Sequence, residues 1–152
     1  MNDESLMKRA LELAKESVTL GGEPFGAVMV LDGKVIAEAM NQAHIDHDPT
    51  AHAEIQALRI ASREQGRGSH PGSVIYASGK PCPMCMAAMV NAGVERVIFC
   101  ADDEIGGPFG YSTADGYARM KQDFGSQGAV VEHLPLPKQD EPFKLYAHKV
   151  GG

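Results

Sequence analysis

The chain has 152 residues, 43% hydrophobic and 22% charged, a composition that excludes disordered, fibrous and collagen-like classes. Fourteen Lys and Arg against 20 Asp and Glu leave a net charge of −6 without basic blocks, so nucleic acid is not an expected partner. No apolar run approaches the ~20 residues of a membrane span, the first thirty residues carry no secretory or transit pattern, and three cysteines make no disulfide framework.

These features predict a cytoplasmic protein, with no membrane partner, folded as a single domain over 1–152. A chain of ~150 residues buries roughly 68–70% of its unfolded surface, so any metal is expected to serve function rather than hold the fold together.

In chain order, residues 3–19 place Leu6, Ala10, Leu13, Ala14 and Val18 at helical spacing, and Gly21-Gly22 stop the helix. The period then changes to strand. Phe25 to Leu31 is a short apolar run, Asp32-Gly33 is a two-residue hairpin signal, and Lys34 to Asn41 alternates Val35, Ala37 and Ala39. Asp48-Pro49 reads as a cap and a proline preset for a first turn, opening a helix over Ala51–Gln65 that ends in the Gly66–Gly72 loop. Ser73–Ser78 is a strand, Pro83–Ala92 a helix whose methionines are core packing, and Arg96–Ala101 a strand in which Cys100 is a buried small hydrophobe. Strand, helix and strand in about 30 residues make a βαβ unit, hence parallel neighbours and a sheet covered on both faces. Asp102–Thr113 is then a loop, Ala114–Phe124 a helix, Ala129–His133 a last strand and Glu141–Val150 a terminal helix.

Two segments concentrate chemistry: His52-Ala53-Glu54 at one helix start and Pro81-Cys82-Pro83-Met84-Cys85 at the next. Cys82 and Cys85 are three apart, so both sulfurs can face one side of a helix beginning, where orphan N–H groups favour thiolates. With the His52 imidazole they form a Cys₂His set for Zn²⁺, the three-ligand pattern of catalytic rather than structural zinc. Glu54 lies roughly 200° from His52 on a helix, so both reach one metal only at the helix end. From there Glu54 can move the proton of a zinc-activated water to a ring nitrogen and then to leaving ammonia. Two other readings of the same residues are a redox Cys-x-x-Cys and a structural zinc knob whose fourth ligand is Cys100, His44, His47 or His70.

His-x-Glu and then Pro-Cys-x-x-Cys, here with 26 residues between Glu54 and Pro81, is the signature of zinc nucleobase deaminases. With Pro24–Val28, the hairpin ending at Asn41, His47–Ile55 and Pro81–Met89, the chain resembles the cytidine deaminase-like superfamily. Within it the similarity is to the bacterial guanine deaminase and tRNA adenosine deaminase branch, closest in type to guanine deaminase. That resemblance implies a three-layer α/β/α sandwich around a five-stranded mixed sheet, commonly in a homodimer. It implies Zn²⁺ on His52, Cys82 and Cys85, Glu54 as proton shuttle, and a substrate site including Asn41, Phe25 and Ala53. It also implies that 102–152 form a lid, with Phe109 and Tyr111, and a C-terminal tail, with Tyr146.

The terminal stretch Pro142–Gly152 holds only two lysines, where the tRNA enzymes carry a basic terminal helix, so a free nucleobase is the expected substrate, guanine first. The acid that such guanine deaminases carry after the fourth strand has no counterpart in Gly107–Tyr111, and Asp115 is displaced. Cytosine, adenine-like bases, pterins and triazines, and behind them a tRNA adenosine, stay open.

Overall fold

In a computed structural model that describes residues 1–151, Leu6, Ala10, Leu13 and Ala14 line up on the buried stripe of the first helix, α1 (Asp3–Thr19). Asn2 caps it by accepting from the Ser5 N–H at 2.8 Å, while Ser5 Oγ answers the Asn2 N–H at 3.0 Å. Val18, expected on the same stripe, is exposed.

Strands β1 (Gly26–Leu31) and β2 (Lys34–Met40) pair antiparallel through the expected turn. Asp32 and Gly33 both take positive φ, 50° and 74°, the backbone that a two-residue hairpin matched to strand twist requires. β3 (Val74–Gly79) pairs antiparallel with β1 and parallel with β4 (Arg96–Ala101), giving a mixed sheet in the order β2-β1-β3-β4. The alternation along the strands feeds two cores. Val28, Val30 and Tyr76 pack on Leu6, Ala10 and Leu13 of α1. Ala27, Met29, Ala37, Ala39 and Ile75 pack on the opposite helices α3 (Ala53–Gln65) and α4 (Pro83–Asn91) through Ala57, Leu58, Cys85 and Met89. α1 sits hard on β1: a Cβ at Gly26 would lie 2.4 Å from the Ala10 carbonyl oxygen, so only glycine admits this approach.

The remaining elements are the four-residue helices α2 (Ala43–Asp46) and α5 (Asp103–Gly106), a 3₁₀ turn at Gly107–Phe109, and α6 (Ala114–Met120). The chain divides into two units, Met1–Met120 and Lys121–Gly152. The second contains a 3₁₀ turn at Phe124–Ser126 and α7 (Glu141–Gly151). Among the described residues, no helix is long and apolar enough to cross a membrane.

Several expectations are corrected. The sheet has four strands, not five, because Ala129–His133 forms no ladder: a run this short has no strand unless another backbone takes up its N–H and C=O groups. The helix expected over Ala114–Phe124 ends at Met120, and the loop expected over Asp102–Thr113 is largely helical turns. The helix expected from Ala51 starts at Ala53, because Asp48 caps the Thr50 N–H at 2.8 Å instead of a helix. Cys100 is exposed, since β4 is an edge strand whose outer side chains have only partial cover.

Candidate active site

His52 and Cys82 occupy equivalent positions, each the N-cap of its helix in extended conformation, with φ,ψ of −69°,159° and −70°,166°. Neither side chain caps its own helix, so both are free to turn to a common centre. Pro83 at the first position of α4 presets the turn that brings Cys85 beside Cys82. The sulfurs of Cys82 and Cys85 each lie 3.6 Å from His52 Nδ1, and all three donor atoms fall within 4.8 Å of one another. Ligands at ~2.0 Å (N) and ~2.3 Å (S) on the corners of a tetrahedron are separated by roughly 3.5 Å, so the donor set fits Zn²⁺ in both chemistry and spacing. The first N–H groups of α3 and α4 add the positive ends of two helix dipoles.

The protonation of the cluster follows from its geometry. A hydrogen bond from Cys85 holds Cys82 down to about 4, against the opposing effect of burial and with help from His52. The same bond, with burial and the Glu54 charge, pushes Cys85 up. Cys82 also raises His52. The cluster thus holds a thiolate on Cys82 beside proton-bearing neighbours, and a divalent cation bound here would displace those protons. Glu54, at 6% exposure, is lifted above the usual carboxylate range by burial, reinforced by the charge on Cys82.

These groups face a cavity of about 230 Å³, lined by His52, Glu54 and Cys82 on one side and by Glu23, Phe25, Lys80 and residues 110–113 on the other. It is smaller than the ~300–1,000 Å³ of sites for drug-sized ligands, and so suits a single small ring system. Phe25 meets Tyr111 edge to face with centroids 5.0 Å apart, forming one wall. Tyr111 is raised by burial and by the Glu23 charge. A larger groove of about 780 Å³ adjoins, shares Glu23, Phe25, Lys80 and Tyr111, and is otherwise lined largely by apolar residues including Leu11, Val18 and Phe109.

The structure therefore unites His52, Cys82, Cys85, Glu54, Phe25 and Tyr111. The remaining expected residues have the following surroundings. Phe109 is 79% exposed and lines the larger groove. Ala53 is buried among the core residues between α3 and the sheet. Asn41, fully buried just past β2, accepts the Ala43 N–H at 3.0 Å and is not in the cavity wall. Tyr146 lies on α7 of the second unit. The structural-zinc alternative gains no fourth donor from Cys100, His44, His47 or His70, since the clustered metal-binding side chains among the described residues are His52, Cys82 and Cys85 alone.

Sequence reasoning missed the residues that brace the cavity. Asp103 accepts from the Thr113 N–H at 2.8 Å and Oγ1 at 3.0 Å and pairs with Lys80 Nζ at 3.3 Å, which ties the 110–113 wall to the end of β3. Lys80 also stands 5.3 Å over the Tyr117 ring, and the Tyr117 hydroxyl donates to the Pro81 carbonyl, steadying the Cys82 turn. The acidic pair Asp102-Asp103 directly after a strand was the one available signal.

Comparison with known proteins bears on this geometry. Residues 1–101 match the cytidine and deoxycytidylate deaminase zinc-binding region. Over 147 residues the chain is 35% identical to the guanine deaminase of Bacillus subtilis, covering 96% of this chain and 94% of that protein. It is 39% identical over 105 residues to the tRNA-specific adenosine deaminase of the same organism, covering 69% of this chain and 65% of the other. The crystal structure of guanine deaminase from Bacillus subtilis superposes with a TM-score of 0.90 at 34% identity, covering 97% of this chain and 95% of that one.

Proposed function

Since the chain belongs to the zinc-binding cytidine and deoxycytidylate deaminase family, we propose that this member hydrolytically deaminates a free nucleobase, with guanine, converted to xanthine, as its substrate. The observation that carries the reading is the cavity: small enough for one ring system, and walled on one side by His52, Cys82 and Glu54. Near full-length similarity to a guanine deaminase supports guanine over the other amino-heterocycles. The net charge of −6 supports a free base over RNA.

In this reading His52, Cys82 and Cys85 hold Zn²⁺. The metal supplies, when bound, Lewis-acid activation of water near neutral pH. Glu54, buried and lifted in pKa, takes a proton from the attacking water and delivers it to the ring nitrogen beside the amino-bearing carbon. It then carries the second proton to the amine. The carbon–oxygen bond forms, the carbon–nitrogen bond breaks, and ammonia leaves. Phe25 and Tyr111, in contact with each other, form one wall against which the ring rests, and the Lys80–Asp103–Thr113 brace excludes solvent from that side.

The reading extends to a cytoplasmic homodimer of one deaminase domain, with 102–152 as lid and tail and Tyr146 serving the site. The exposed Val90 and Phe99, on α4 and the edge strand β4, support a covered face. Ammonia release by the zinc-loaded protein over aminopurines, aminopyrimidines, pterins and triazines tests the function. Guanine is expected to turn over fastest, and a panel with no turnover refutes the proposal.

A further inference from the structure

The cavity wall contains two carboxylates among the described residues, Glu54 and Glu23, and the chemistry above uses only the first. Glu23 is presented by a stiff backbone. Its carbonyl accepts from the fully buried Ser17 Oγ at 2.7 Å and from the Phe25 N–H at 2.8 Å, which fixes the turn between α1 and β1. The side chain is 24% exposed and lies at the boundary of the small cavity and the larger groove. Its one polar partner among the described residues is His44 Nε2, at 3.1 Å from Oε1, which leaves the other oxygen uncommitted.

The other polar side chains of that wall are already engaged, save the Tyr111 hydroxyl, which unlike a carboxylate can donate as well as accept and so does not discriminate a ring N–H from a lone pair. Lys80 and Thr113 are held by Asp103, His52 and Cys82 belong to the metal set, and Glu54 faces the sulfurs. An ionised carboxylate only accepts hydrogen bonds, so it welcomes a ring N–H and repels a ring-nitrogen lone pair. Guanine carries a lactam N–H and an imidazole N–H. Adenine has an unprotonated nitrogen in place of the first.

We propose that Glu23, oriented by His44, is a specificity-determining residue that accepts a hydrogen bond from a ring N–H of the bound base. This rests on the guanine reading above. The carboxylate takes the part that the acid missing from Gly107–Tyr111 was expected to play, from the opposite end of the chain and from the α1–β1 turn.

The test is a substrate-by-variant comparison with guanine, 1-methylguanine and 9-methylguanine on the zinc-loaded wild type, Glu23→Gln and Glu23→Asp. Zinc content and thermal midpoint of the variants are expected to match wild type, because the side chain lies outside the metal set and its one polar partner among the described residues, His44, is itself exposed. For guanine, Glu23→Gln is expected to lower kcat/KM by about 10- to 100-fold, chiefly through KM, the range of a hydrogen bond to a charged group. Glu23→Asp is expected to recover part of that loss. For the one methylated base whose N–H is blocked toward Glu23, wild type is already slow and Glu23→Gln changes nothing further. Guanine turnover within twofold of wild type in Glu23→Gln, or an equal loss on all three bases, overturns the inference while leaving the proposed function intact. No guanine turnover by wild type overturns both.

Discussion

Replacing Gly79 by alanine probes whether the Phe25 wall shapes the site. Gly79 ends β3, is buried, and faces the Phe25 ring: an added Cβ would stand 2.9 Å from Cε1 and 3.2 Å from Cδ1. Carbon atoms pack best at about 3.5–4.0 Å, so the ring must retreat by roughly 0.6–1 Å. It cannot do so freely, because its other side meets Tyr111 edge-on at 5.0 Å. Overpacking costs about 1–3 kcal/mol, and the smaller entropy of the unfolded alanine chain offsets about 0.4–1 kcal/mol of it. At about 2–4 °C per kcal/mol for a chain of this size, the thermal midpoint is expected to fall by no more than about 10 °C. Catalysis is more sensitive, because a displacement near 1 Å at a reacting site can cost about 100-fold. Steady-state ammonia release from guanine is expected to show kcat/KM down by about 10- to 100-fold. Adding Phe25→Leu, which removes the clashing ring edge, is expected to restore the midpoint without restoring the rate. A rate within twofold of wild type, or a midpoint that the second substitution leaves depressed, refutes the reasoning.

Glu54→Gln is expected to keep stoichiometric zinc, measured by metal analysis, while turnover falls by about 10²- to 10⁴-fold, the range of a positioned proton carrier; a variant with normal turnover removes Glu54 from the chemistry. His70, fully buried with Nε2 3.0 Å from Ser62 Oγ and Nδ1 unpartnered, is held below the ordinary imidazole range by burial and by the Arg67 charge. The unfolded chain therefore binds this proton more readily, so the stability it contributes is complete above about pH 6.5 and is lost as the pH falls below that value. Thermal midpoints measured from pH 7.5 to 5 are expected to drop less steeply for His70→Gln than for wild type, and parallel curves refute the assignment.

Patterns of short range were legible in the residues. The stripe of α1, the Asp32-Gly33 hairpin and the βαβ unit follow from spacing and turn chemistry, which act over a few residues. So did the metal set, because His52 and the Cys82–Cys85 pair are each written at a helix start, where geometry leaves little choice of direction. The bracing of the cavity was not legible. Asp103 reaches Lys80 across 23 positions and Tyr117 reaches Pro81 across 36, and no periodicity records such pairs. Ala129–His133 illustrates the opposite error: a β-branched run has the look of a strand, but a strand exists only where another backbone receives it.

Asn41 and Ala53 stand within or beside motifs that carry the resemblance, and the structure adds their neighbours: the Asn41 side chain holds the Ala43 N–H, and Ala53 packs in the core. Glu23 is the converse case, an acid in a turn with nothing in its neighbours to distinguish it. By itself the sequence determined the layered α/β class, the order of its main elements and the three-donor zinc set, since these depend on spacing near helix starts and turns. Which side chains complete the cavity was decided only when the sheet and loops brought residues 23, 25, 80 and 111 around one volume, because polar contacts at long range leave no trace in the order of the chain.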